Sequence, residues 1–149
     1  MFFQFEGDFV DSLQCIPMSV RLKLDTCGIK LKLNQWNHFN REQRQVLIEL
    51  PCNNSEEINT YRERLQELIL GQTGTAASEL PIDDHPQWLN TETIPIEVQE
   101  KAQEFNVNIS LEQWEKLQPL QRFALIKLSR SSHENSNFLP AFKEFDLLK

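Results

Sequence analysis

The stretch LNQWNHFNREQRQVLIEL runs from Leu33 to Leu50, and Leu111 to Leu128 reads LEQWEKLQPLQRFALIKL. Leu, Gln, Trp, Gln, Arg, Leu, Ile and Leu recur in one register, 78 positions apart and without a gap. Working outward, the same offset pairs Ile16 with Ile94, Pro17 with Pro95, Val20 with Val98 and Lys23 with Lys101. Over residues 15–52 against 93–130 roughly a third of positions are identical, the self-similarity of a repeated structural unit.

Each copy reads as helices. Pro17 and Pro95 fit a first turn, where a missing N–H costs nothing. Val20, Leu24 and Cys27 follow at helical spacing, as do Val98, Ala102 and Phe105. Gly28 and Asn106 hold the matching position past that helix, and both types tolerate a left-handed stop. The alternating Ile29, Leu31, Leu33 and Val107, Ile109, Leu111 suit a short extended connector. Ser110 with Gln113 forms a capping box for a short helix through Trp114, and Lys32 in the first copy demands a different cap. Asn40 with Gln43 caps the next helix in copy one, and Pro119 opens it in copy two.

Between the copies, Asn54 and Glu57 cap a joining helix whose buried face is Ile58, Tyr61, Leu65, Leu68 and Ile69. GQTGTAAS (71–78) reads as a flexible linker. LPIDDHPQWLN (80–90) reads as a solvated acidic loop carrying Trp88. NFLPAFKEFDLLK sets Phe138, Phe142 and Phe145 on one helical face, with Leu148 beyond. The expected fold is all-α. It is a single domain, 1–149, of two related helical units (about 15–52 and 93–130) with a joining helix and aromatic N- and C-terminal flanks.

The chain has 149 residues, 40% hydrophobic and 25% charged, enough for a sizeable core. Its net charge of −7 suits neither nucleic acid nor anionic membranes. MFFQFEGDFV lacks the basic start of a signal peptide, and no apolar run is long enough to span a bilayer. Cys15, Cys27 and Cys52 are an odd number with no zinc spacing, so reduced thiols in a cytoplasmic protein are expected. Of the three, Cys52 is the best placed to react.

Candidate chemistry is sparse. His38, His85 and His133 have no second His or Cys at ligand spacing, so surface or capping roles outweigh metal or catalytic ones. GQTGT lacks the Lys-Ser/Thr ending of a phosphate loop. Asp83, Asp84 and His85 need a pocket and further ligands before they could act. Trp36 and Trp114 read as core anchors, and Arg44 and Arg122 as satisfying carbonyls or a carboxylate within their own units. No catalytic, cofactor-binding or metal residue is assigned, and the chain is expected not to be an enzyme.

The copies differ informatively. Glu42 and Gln45 become Leu120 and Phe123, three apart on one helical face. Burying that Leu and Phe is worth on the order of 3–6 kcal/mol, so something must cover them: the C-terminal phenylalanines or a partner. Arg122, Phe123, Lys127, Phe142 and Phe145 are the candidate partner-binding residues.

IPMSVRLKLDTCGIKLKLNQW, with QRFALIKLSRSSHENSNFLPAFKEFDL, closely resembles the nitrate-reductase-associated proteins of cyanobacteria. KLDTCGIKL, Gln35–Trp36, RFALIKL and PAFKEF carry the resemblance most specifically. It implies an accessory or maturation role in nitrate assimilation, with nitrate reductase as the partner. That reductase takes electrons from ferredoxin and holds a molybdenum cofactor and an iron–sulfur cluster. The resemblance brings no catalytic residues. The alternative is a carrier of a molybdenum-cofactor-type molecule, which needs arginines such as Arg44 and Arg122 to converge on the ligand.

Overall fold

The computed structural model describes residues 3–7, 16–130 and 137–147. Cys15, His133 and Leu148 lie outside them. The described residues fall into two compact units: unit one holds 7 and 16–83, and unit two holds 3–6, 84–130 and 137–147. Among them the fold is all-α, and the only β feature is an isolated antiparallel bridge between Ile29 and Glu79.

Unit one contains α1 (Met18–Cys27), α2 (Leu33–His38), α3 (Arg41–Glu49) and α4 (Ser55–Thr73). Unit two contains α5 (Ile96–Glu104), α6 (Leu111–Lys116), α7 (Pro119–Arg130) and α8 (Phe138–Glu144), with 3-10 turns at Gln4–Glu6 and Gln87–Leu89. The starts of α1 and α5, of α2 and α6, and of α3 and α7 are each 78 residues apart.

The capping chemistry follows the residue types. Gly28 (φ 75°) and Asn106 (φ 57°) take the left-handed conformation. Ile29 N then donates to Leu24 O, and Val107 N to Ala102 O, closing each helix alike. Asn40 and Gln43 exchange side-chain and backbone bonds at 2.8 and 2.9 Å, and Ser110 and Gln113 do so at 3.1 and 2.9 Å. Before α2 only half of that box exists: Gln35 Oε1 accepts from Lys32 N at 2.8 Å, and a lysine ammonium has no lone pair with which to return the bond. Pro17 and Pro95 stand one residue ahead of their helices rather than in the first turn. Both are extended, and their carbonyls accept from Val20 and Arg21 and from Val98 and Gln99.

The core of unit one joins Val20, Leu24, Cys27, Trp36, Leu47 and Leu65. The face expected on α4 is confirmed: Tyr61, Leu65 and Ile69 are buried, Ile58 and Leu68 half-buried. The Tyr61 hydroxyl donates to Leu47 O at 2.8 Å. Residues 71–78 are not a free linker. α4 continues to Thr73, Gly74 stops it at φ 77°, and the chain folds back against the segment just past α1. Gln66 Oε1 accepts from Ala77 N at 2.9 Å, Ser78 O from Lys30 N at 2.9 Å, and Gly28 O from Leu80 N at 2.8 Å. Arg62 pairs with Glu79 and donates to Cys27 O at 2.6 Å. These bonds satisfy backbone groups that a loose linker would leave to water.

In unit two the aromatic flanks meet. Phe145 lies edge-on to Phe3 and Phe5, and Glu144 accepts from Gln4 N and Phe5 N at 3.0 Å each. Phe138 stacks on Phe105 and packs against Phe142.

Candidate functional site

α7 carries the apolar strip of Leu120 and Phe123. Phe123 is fully buried and Leu120 half-buried. Trp88, from the 80–90 loop, stands edge-on to Phe123 with ring centroids 5.1 Å apart. The Lys127 ammonium lies 5.2 Å from the centre of the same ring. α8, which carries Phe138 and Phe142, packs against α7. The loop is therefore only partly solvated: Asp83, Asp84 and His85 are exposed, whereas Pro86 is buried and Trp88 half-buried.

Arg122 ties this arrangement together. Its Nε donates to Trp88 O at 2.6 Å, and its Nη1 reaches the carbonyls of Trp114 (3.2 Å) and Leu117. Arg44 does the corresponding work in unit one, donating to Trp36 O at 3.1 Å and Asn37 O at 2.7 Å. Each arginine bonds the helix end that precedes its own helix, where carbonyls lack intrahelical partners. The guanidinium has the donors for this in a fixed fork. Burial lowers the pKa of Arg122.

Of the five candidate partner-binding residues, the structure sets Phe123 and Phe142 fully inside, with Arg122 5% and Phe145 8% exposed. Lys127 alone is half-buried. Of the strip expected to be covered by the C-terminal phenylalanines or a partner, Phe123 is thus interior to unit two, and Trp88 packs on it, a residue whose isolated place in a Pro-rich loop gave no packing pattern.

The other candidates are scattered. His38 is exposed, with Nδ1 2.6 Å from Asn34 O. Cys27 is buried in the core and Cys52 half-buried in its loop. Burial pushes each thiol up to about 11, so neither is an activated nucleophile at neutral pH. Among the described residues no three His, Cys, Asp or Glu side chains are grouped to hold a metal. None of their helices is long and apolar enough to cross a membrane.

These features define a small all-helical protein in which the aromatic and arginine residues shared by the two helical units are engaged in packing. The chain belongs to the conserved nitrate reductase-associated protein family, which it matches over residues 2–145. Comparison with curated proteins gives no match, and comparison with solved structures gives none.

Proposed function

We propose that this chain is a non-enzymatic, cytoplasmic accessory protein of nitrate reductase that acts by binding the enzyme or a maturing form of it. The observation that carries this reading is the family match across residues 2–145. The structural findings are compatible with it: Arg44 and Arg122, the strongest candidates for binding an anionic cofactor, donate to backbone carbonyls. A carrier holding a phosphate-bearing molybdenum cofactor through these arginines would have to break those bonds, at a cost of about 1.5–3 kcal/mol each.

The test purifies the reductase from cells with and without this protein. Activity, molybdenum and iron are then measured on the same preparations. The accessory reading expects lower activity without the protein and co-purification with the tagged reductase at some stage of maturation. Equal metal loading with unequal activity removes cofactor insertion as the mechanism. Full activity without the protein, and no co-purification, removes the reading itself.

A further inference from the structure

The segments entering α2 and α6 have matching helix lengths and contrasting surfaces. Ahead of α2 the chain is extended. Ile29 and Leu31 are buried and Lys30 and Lys32 exposed, the alternation an extended backbone imposes. In α2, helical spacing sets Leu33, Asn37, Asn34 and His38 on one arc of about 140°, and all four are exposed while Trp36 is buried. Exposed Arg41 then starts α3. From Lys30 to Arg41 there is no Asp or Glu. The equivalent arc of α6 holds Leu111, Glu115, Glu112 and Lys116, with Asn108 and Ser110 in place of the two lysines.

The cations also differ in how they are neutralised. In unit two Lys101 pairs with Glu104 at 2.8 Å, Lys116 with Glu112 at 3.1 Å and Arg130 with Glu97 at 3.0 Å. Lys30, Lys32 and Arg41 form no ion pair with a described residue. Leu33, next to Lys32, is 52% exposed. A protein of net charge −7 therefore presents an exposed leucine beside unneutralised cations, with no acid in the segment.

We infer that the Lys30–Arg41 face is a docking surface for an acidic protein surface, with Leu33 as its apolar anchor. The inference rests on the accessory reading above and names the face used and the charge of the partner. Charge complementarity selects that occupant. The chain's net negative field opposes long anionic lattices such as nucleic acid or an anionic bilayer, whereas a folded partner with a local acidic patch meets the basic face alone.

The test measures binding of the full-length protein to purified nitrate reductase, including the form isolated before metal loading. Wild type is expected to bind, more weakly as salt rises from about 50 mM to about 500 mM. Lys30→Glu/Lys32→Glu and Leu33→Ser are each expected to weaken binding at least about tenfold. Lys30→Gln/Lys32→Gln should weaken it less, Glu112→Lys/Glu115→Lys should leave it intact, and all should melt with wild type. Charge-reversed protein that binds as well as wild type overturns the docking face and leaves the accessory reading standing. Wild type that binds no form of the reductase overturns both. Wild-type binding to vesicles of one-third phosphatidylserine, lost in Lys30→Glu/Lys32→Glu, reassigns the face to a membrane and overturns the inference. Self-association lost in the same variant reassigns the face to a second copy and likewise overturns the inference.

Discussion

Trp88 and Arg122 are joined by a 2.6 Å hydrogen bond from Nε to the tryptophan carbonyl, and the Trp88 ring caps Phe123, the residue after the arginine. One side chain thus holds the backbone of the loop whose ring closes the core beside it. Arg44 donates to two helix-end carbonyls, Trp36 O and Asn37 O, from a half-buried position, with the second bond exposed. Arg122→Ala should destabilise the protein by about 2–4 kcal/mol, because buried carbonyls lose charge-assisted partners, and Arg44→Ala by only about 1 kcal/mol. Urea unfolding of both variants checks the order.

Trp88→Ala should uncover Phe123. A loss of about 1–3 kcal/mol is expected for a half-buried aromatic, with increased binding of a hydrophobic dye at neutral pH. Trp88→Phe keeps an edge-on ring and should lose less. Unchanged stability and dye binding in the alanine variant would show that the ring does not close the core.

Two glycines should respond oppositely to alanine. At Gly28 the backbone is left-handed, and an added Cβ would stand 2.7 Å from Ile82 Cγ1 and 2.9 Å from Leu80 O. Gly28→Ala should cost about 1–3 kcal/mol and loosen the fold-back of residues 77–82, seen as faster amide exchange at Leu80. Gly71, within α4, has nothing within 4 Å of its Cβ position. Gly71→Ala should be neutral or stabilise by up to about 1 kcal/mol.

The thiols predict a loss of stability in alkali. Burial raises Cys27 and Cys52 from about 9 to about 11 and raises Tyr61 as well. In that window the unfolded chain has released protons that the folded one still holds, so stability falls as pH rises. The contribution is complete below about pH 9 and is lost towards about pH 11. Lys23, lowered by burial, tilts the slope the other way as one group against three. Denaturation midpoints from pH 8 to pH 11 should decline in wild type and decline less in Cys27→Ala/Cys52→Ala. Native thiol-reagent labelling of these two cysteines near pH 7.5 should be slow.

Legibility differed by residue. Gly28 and Asn106, Asn40–Gln43, Ser110–Gln113 and the face of α4 were readable because caps and amphipathic faces depend on neighbours within one or two turns. Trp36 and Trp114 were readable as core because they recur at equivalent places, 78 positions apart. Arg44 and Arg122 were readable as carbonyl-satisfying groups, but Trp88 as a partner of Arg122 was not, since 34 residues separate them. The fold-back of 77–82 was hidden for the same reason. A Gly-, Ser- and Thr-rich composition describes what an isolated segment prefers, and the backbone bonds to Gly28 and Lys30 override it.

By itself the sequence determined the helical class, several helix caps, the core tryptophans and the resemblance to the family the chain belongs to, because these rest on local periodicity, capping and residue identity. Only the tertiary structure decided what covers what. It put Phe123 and Phe142 inside unit two, set Trp88 over the strip on α7, and left Leu33 in water beside Lys30 and Lys32. A hydrophobic pattern states that a face must be buried. Which distant side chain buries it depends on packing among segments that the pattern does not connect.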